Sequence, residues 1–218
     1  MIPKKIHYVW VGGKELPEMA KKCLASWKEK LPDFEIIRWD ETNSPMDNAY
    51  VKAMYDQKLW AFVSDYIRFW VLEKEGGIYL DTDTLVLKNF DDKLLHTTFF
   101  GYTPDGYIGC GVIGAAAHDS FIQDILAHYN NPTKSQTREE TSPIIVTKIF
   151  KDKKPAGVKI YDSSYFNPCS DGEKRTPEKL KNAYADNLWA ESWVPFRRLR
   201  KFARRIGVMN AIKFVLGK

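Results

Sequence analysis

The sequence predicts an α/β fold, a single mostly parallel sheet with helices packed on its faces. Two observations carry this expectation. The first forty residues read as strand, helix, strand, and a βαβ unit feeds a parallel sheet. Farther along, a long apolar helix over residues 59–75 stops at Gly76-Gly77 and returns at once as an apolar strand over 78–80.

Each element follows from its pattern. Residues 6–11 (IHYVWV) are continuously apolar and end in Gly12-Gly13, as a buried strand running into a loop does. Pro17 fits the first turn of a helix reaching about Lys30, with Met19, Cys23, Leu24 and Trp27 on one face. Residues 34–39 (FEIIRW) read as a second strand, followed by a polar loop over 40–47. The helix over 59–75 carries apolar side chains at 59, 62, 63, 66, 67, 70 and 71. After the strand at 78–80 come Asp81-Thr82-Asp83, and the apolar pattern resumes at 85–87. Residues 99–102 and 107–113 read as further strands. Asp119 can cap a helix to about Tyr129, and Ser142-Pro143 can open another to about Phe150. Residues 130–140 form a polar loop without an apolar anchor, and 158–161 is the last strand in a loop-rich stretch, 151–195. Residues 1–195 read as one catalytic domain, with 196–218 as a tail.

Charge separates those two parts. The chain of 218 residues has 33 Lys and Arg against 28 Asp and Glu, a formal net charge of +5. From Arg197 onward there are eight basic residues and no acid, which leaves residues 1–196 at a net −3. A mildly acidic body excludes a general nucleic-acid binder, which needs basic residues across its surface. The content, 44% hydrophobic and 28% charged, is that of a globular protein. Cys23, Cys110 and Cys169 are odd in number and widely spaced, so they read as reduced thiols suited to the cytosol. The N-terminus enters an apolar strand at once and lacks the features of a secretory leader. No stretch has the eighteen or so uninterrupted apolar residues of a spanning helix. The expected location is the cytoplasm.

The chemistry concentrates in residues 64–83, SDYIRFWVLEKEGGIYLDTD. Asp81 and Asp83 flank one residue at the end of an apolar strand, where loops diverge and open sheets bind ligands. Two such carboxylates can hold a divalent cation whose other positions are filled by water and phosphate oxygens. The plainer alternative is an acidic turn after an edge strand. Asp65 and Arg68 lie three apart on the preceding helix, hence on one face. They form either a structural ion pair or a grip on hydroxyls and phosphate beside the cation.

These residues closely resemble glycosyltransferase family 32. The resemblance rests on IPKKIHYVWVGG, on the A-x-x-S-D-x-x-R…G-G-x-Y-x-D-x-D pattern from Ala61 to Asp83, on SPIIVT and on a late Ser-Trp. It implies a GT-A fold with a Rossmann-like sheet, a nucleotide-sugar donor and a Mn²⁺ or Mg²⁺ ion. Carried onto this chain, it implies that Trp10 stacks on the base and Val9 lines its pocket. Ser64, Asp65 and Arg68 would hold the ribose and sugar, and Tyr79 would sit at the diphosphate. Asp81 would touch the ribose and sugar and reach the cation through water, and Asp83 would ligate it directly. The resemblance further suggests retention of anomeric configuration, a UDP-linked hexose or N-acetylhexosamine, a saccharide or lipid-linked saccharide acceptor, and bacterial surface polysaccharide as the product.

One departure stands out. The family's late Tyr-Ala-x-His-His-Trp-x-x-Ser-Trp pattern reads here Tyr184-Ala185-Asp186-Asn187-Leu188-Trp189-Ala190-Glu191-Ser192-Trp193. Both histidines are lost, and Leu188 cannot bind a cation. Asn187, Asp186 or Ser192 can supply an oxygen instead. His7, His96, His118 and His128 are scattered without ligand spacing, and read as structural or exposed. Asp105 and the glycines of DGYIGCGVIGA can wall the acceptor side.

Two rival readings stay open at this point. A haloacid-dehalogenase-type phosphatase also places D-x-D after an apolar strand, but its fifth position wants Thr or Val, where this chain has Leu85. A catalytically inactive sugar-nucleotide-binding protein is the second. Residues 196–218 alternate apolar and basic positions, either as an amphipathic helix on an anionic membrane surface or as a helix docked on the domain. A peripheral site on the inner face of a bacterial membrane is the expectation.

Overall fold

A computed structural model describes residues 1–131 and 141–190. The chain runs β1 (Lys5–Val9), α1 (Glu18–Lys30), β2 (Glu35–Trp39), α2 (Ala49–Asp56), α3 (Trp60–Glu75), β3 (Gly77–Leu80) and β4 (Thr84–Val86). It continues through a 3₁₀ turn (Asp91–Lys93), β5 (Thr98–Tyr102), β6 (Ile108–Ala115), α4 (Ser120–Tyr129), α5 (Ser142–Lys153), β7 (Val158–Tyr161), α6 (Ser163–Phe166), α7 (Pro177–Leu180) and β8 (Ala185–Asn187).

Six strands form one sheet in the order β2-β1-β3-β6-β5-β7. The pairs β1–β2, β1–β3 and β5–β7 are parallel, and β6 runs against both its neighbours, β3 and β5. The sheet is therefore mostly parallel, as the sequence implies. Its geometry brings the ends of β1, β3 and β5 and the start of β6 to one edge. β4 and β8 form a separate antiparallel ribbon in which Thr84 pairs with Asn187.

Each face of the sheet has its own apolar core. On one side α2–α5 pack Val63, Ile67, Phe69 and Leu72 against Tyr79, Phe100 and Ile113. Full burial of such side chains stabilises by roughly 1.5–3 kcal/mol each. On the other side Trp27 of α1, Phe90, Phe99 and Phe166 pack against Ile6, Ile78 and Leu80. Among the described residues, no helix is long and apolar enough to cross a membrane.

Most predicted elements hold within a residue or two, and the exceptions have physical reasons. Pro17 is the cap of α1 and precedes its first turn, with extended backbone at ψ 158°. Asp119 caps α4 as its sequence position suggests, accepting from Phe121 N and Ile122 N. The eight-residue α2 was not expected. Asn48 caps it through Tyr50 N and Val51 N, but Tyr50, Val51 and Met54 make too short an apolar stripe to read. The three-residue β8 is equally silent, because its pairing with β4 is long-range.

The return from α3 into β3 is set by Gly76 and Gly77, with φ of +61° and +106°. His7 of β1 locks it. Its Nε2–H donates to Gly76 O at 2.8 Å, while its Nδ1 accepts from Trp39 Nε1–H at 3.0 Å. This bonding needs the neutral ring, and burial lowers the His7 pKa to about 4. His7 is thus structural, as its lack of ligand spacing suggests.

Candidate functional site

A cleft of about 440 Å³ opens at the carboxyl ends of β1 and β3, within the range of small-molecule sites. Its walls include Val9 and Trp10 from β1 and its exit, Ser64, Asp65 and Arg68 from α3, and Tyr79, Asp81 and Asp83 around β3. Asn187 lines it too. The sheet edge therefore gathers the described residues of the expected donor and cation sites, Asp186 excepted, into one cavity. Ser192, Trp193, the polar stretch 132–140 and the tail 196–218 lie outside the described residues.

The centre is a buried hydrogen-bonded cluster on α3. Arg68 Nη2 lies 2.8 Å from Asp65 Oδ1 and donates to Ser64 Oγ at 3.0 Å. Its Nη1 donates to Cys110 O at 2.7 Å and lies 3.4 Å from Asp81 Oδ1. Burial pulls the Arg68 pKa down, but the carboxylates of Asp81 and Asp65 more than reverse this and hold it well above its usual value. Tyr79 OH donates to Asp81 Oδ1 at 2.9 Å, beneath the guanidinium, which lies 4.7 Å from its ring centroid. The i, i+3 spacing on α3 and the alternation along β3 thus converge on one carboxylate. Arg68 has most of its donors engaged by the protein, so its first task is to fix Asp65 and Asp81.

Asp83 is placed differently. Its Oδ2 accepts from Ala190 N at 2.7 Å, and its backbone oxygen accepts from Leu188 N at 2.8 Å. Burial, then the Asp81 charge beside it, push its carboxyl up to about 6. Two carboxylates held this close repel, and a bound cation relieves the repulsion. Among the described residues, no group of three or more His, Cys, Asp or Glu side chains can hold a metal ion. A pair of carboxylates still fits Mg²⁺ or Mn²⁺, since such ions bind through one or two carboxylates plus substrate phosphates and water.

The late stretch resolves into distinct tasks. Asn187 Oδ1 accepts from Trp189 N at 2.7 Å, and its Nδ2 and the Asp81 carboxylate both flank the bare Gly111. A Cβ on Gly111 would lie 3.0 Å from Asp81 Oδ2 and 3.1 Å from Asn187 Nδ2. Asn187 therefore presents a donor to the cleft. Asp186, one of the replacements weighed for the lost histidines, is held instead by Arg175 Nε at 2.5 Å, and it does not line the cleft. Leu188 packs against the core on the α1 side. Trp189 lines the cleft and donates from Nε1 to Cys169 O at 2.8 Å.

Several residues that line or brace the cleft carry no sequence signal of their own. Ser142 Oγ donates to Asp65 Oδ1 at 2.8 Å and ties the first turn of α5 to α3. Its SPIIVT context marked a helix start but not this partner. Glu41 Oε1 accepts from Gly12 N at 2.6 Å and from Tyr55 OH at 2.9 Å, and so holds the loop after β1. Gly12 is required there, because a Cβ would sit 2.9 Å from the Trp60 ring. Gly109, Cys110 and Gly111 line the cleft as expected for the glycine-rich strand, whereas Asp105 lies in an exposed turn outside it. Cys23, Cys110 and Cys169 are all buried and free, and burial pushes Cys110 up to about 12, which makes it inert.

A mostly parallel sheet with a carboxylate pair at a strand end, opening on such a cleft, has the architecture of the GT-A fold. Residues 17–100 match the family described as "Glycosyltransferase sugar-binding region containing DXD motif". This match and the relatives below support a glycosyltransferase enzyme, and the phosphatase alternative falls away. It is 27% identical over 221 residues to an uncharacterized glycosyltransferase of Acanthamoeba polyphaga mimivirus, covering 92% of this chain and 87% of that protein. It is 28% identical over 130 residues to inositol phosphoceramide mannosyltransferase 3 of Schizosaccharomyces pombe, covering 57% of this chain but only 36% of that protein. In fold it is similar to the PaToxG glycosyltransferase, with a TM-score of 0.59 at 20% identity over 70% of each chain.

Proposed function

We propose that this protein is a metal-dependent, retaining glycosyltransferase that moves a hexose or N-acetylhexosamine from a UDP-sugar to a saccharide acceptor. The supporting observation is the convergence of Asp81, Asp83, Arg68, Asp65, Ser64 and Tyr79 on one cleft. A Mn²⁺ or Mg²⁺ ion held by Asp83 directly, and by Asp81 through water, would supply Lewis-acid stabilisation of the leaving diphosphate. Ser192 is a further candidate ligand on sequence grounds.

The chain's own residues do the positioning. Arg68 fixes Asp81 and Asp65 by ion pairs, and Tyr79 OH holds the same Asp81 oxygen from below. Asp65 Oδ2, which accepts only a long 3.4 Å bond from Ser142 N, is the oxygen left to meet sugar hydroxyls, and the Asn187 amide donates toward the diphosphate. Trp10 faces the cleft half-buried, where its ring can stack on the base, with Val9 beside it. These donors are aimed where charge develops as the anomeric bond breaks. Among the described residues the carboxylates lining the cleft are Asp65, Asp81 and Asp83, each with a task above, which favours a front-face reaction in which the leaving phosphate takes the acceptor proton.

The relatives named for inositol phosphoceramide support a lipid-linked acceptor. Residues 196–218, net +8, would carry the enzyme to an anionic membrane surface, on the inner face of a bacterial membrane where surface polysaccharide is made. The test is a panel of nucleotide sugars incubated with Mn²⁺. Slow release of free nucleoside diphosphate supports an active transferase, and binding without release points to an inactive sugar-nucleotide binder. An inverted linkage in the product, read by NMR, overturns the retaining mechanism.

A further inference from the structure

Asn167 is a buried polar side chain of the cleft for which the donor and cation sites have no task. It is 7% exposed, lines the cavity and closes the end of α6. Its Nδ2 donates to Tyr102 O at 3.0 Å, and its backbone N donates to Ser163 O at 2.8 Å, which fixes the amide. Among the described residues nothing donates to Asn167 Oδ1. That oxygen is not sealed inside the protein, so a sugar hydroxyl entering the cleft can reach it and donate to it in place of water.

The floor beside it is bare backbone. A Cβ on Gly109 would lie 3.1 Å from Asn167 Nδ2 and 3.1 Å from Thr103 Cγ2. Gly111, two residues along β6, lies in the same way against Asp81 and Asn187. Alternate residues of a strand share a face, so the Asn167–Thr103 pair stands roughly 7 Å from the Asp81–Asn187 pair. A ring attached to a diphosphate at Asp81, or about to be joined to it, reaches that far. Thr103 Oγ1 is engaged with the Tyr107 backbone, donating to its oxygen and accepting from its N at 3.1 Å each, so what Thr103 offers is its methyl.

We propose that Asn167, Thr103 and Gly109 form a sugar subsite, in which Asn167 Oδ1 accepts from one ring hydroxyl while the Thr103 methyl packs on the C–H face of the ring. This deepens the nucleotide-sugar reading and rests on it. The ring belongs either to the transferred sugar or to the acceptor, and the chemistry of recognition is the same for both. Sites built to bond a hydroxyl discriminate strongly against substrates that lack it or hold it elsewhere.

The test compares wild type, Asn167→Ala and Asn167→Asp. In the donor arm, Mn²⁺-supported hydrolysis of UDP-glucose, UDP-galactose, UDP-N-acetylglucosamine and GDP-mannose is measured. Calorimetric binding of UDP and GDP, which carry no sugar, reports an intact pocket. In the acceptor arm, transfer to methyl glucoside and methyl galactoside is measured. The expected result is that Asn167→Ala flattens the ratio between the best two donors about tenfold at unchanged diphosphate affinity, or else leaves that ratio and raises the acceptor KM about tenfold. The first outcome assigns the transferred sugar and the second the acceptor. Asn167→Asp keeps an accepting oxygen but loses the donation to Tyr102 O, so it retains more of the wild-type preference than Asn167→Ala does.

If Asn167→Ala changes neither quantity by more than about twofold, the subsite is overturned. It is equally overturned if both variants lose selectivity and diphosphate affinity together, which marks a purely structural cap. If the wild type binds neither UDP nor GDP and hydrolyses none of the four sugars, the nucleotide-sugar reading falls first and takes the subsite with it.

Discussion

Ser142 Oγ donates to Asp65 Oδ1 at 2.8 Å, joining the first turn of α5 to the middle of α3 across 77 residues of sequence. Arg68 Nη2 reaches the same oxygen at 2.8 Å from the other side. Asp65 is thereby held between a hydroxyl and a guanidinium, all three of them buried. Ser142→Ala removes one bond and leaves the charge pair, so it should destabilise by about 1–3 kcal/mol. Asp65→Ala leaves the buried Arg68 cation with one carboxylate partner, Asp81 at 3.4 Å, and should cost about 3–5 kcal/mol. Urea unfolding of the two variants checks the order, and equal losses would show that Ser142 and Arg68 do not share the load at Asp65.

The two glycines after α3 give a second test. A Cβ on Gly76 would lie 2.6 Å from Ala117 N, and one on Gly77 would lie 2.8 Å from Lys5 O. Both also sit at positive φ. Gly13 has φ +68° but meets nothing within 4 Å. Gly13→Ala should therefore cost only the backbone strain, about 1 kcal/mol, and Gly76→Ala or Gly77→Ala several times more. Thermal unfolding midpoints should rank them in that order.

The pH dependence of stability should carry a His7 component. Its pKa is about 4 in the folded protein against 6.5 for the free side chain, so the unfolded chain takes up the proton first. This contribution to stability is complete above pH 6.5 and is lost as pH falls from 6.5 to about 4. Its size is roughly 3 kcal/mol, at about 1.36 kcal/mol per pKa unit. His7→Gln can keep both an acceptor for Trp39 and a donor for Gly76. It should lose less stability than wild type between about pH 7 and pH 4, and parallel pH curves would refute the assignment.

Removal of residues 196–218 should abolish sedimentation with anionic liposomes at low salt while leaving nucleotide-sugar hydrolysis intact. If full-length and shortened proteins sediment alike, membrane attachment through the tail is wrong.

Much of the site is legible in the sequence. Asp65 and Arg68 share a helix face, and Asp81 and Asp83 follow a strand, so local periodicity alone places them. The long helix and the Gly76-Gly77 return are equally local. The remainder depends on contacts that no spacing encodes. Ser142 finds Asp65 only because α5 packs over β6, and Asn167 enters the cleft only because α6 returns along β5. Asn187 and Asp186 are neighbours in sequence, yet β8 sends one to the cleft and the other to Arg175. Sequence alone leaves the choice between them open, and strand alternation decides it.

Everything proposed for the donor depends on Asp83 and Asp81 forming a cation-dependent site for a nucleotide sugar. The decisive measurement is release of UDP from UDP-sugars by wild type and Asp83→Ala, with Mn²⁺ and with chelator. Hydrolysis should require Mn²⁺ in the wild type and fall by about a hundredfold or more in Asp83→Ala, as expected when electrostatic stabilisation of the leaving group is removed. Hydrolysis by Asp83→Ala at the wild-type rate, or undiminished wild-type activity in chelator, would contradict it.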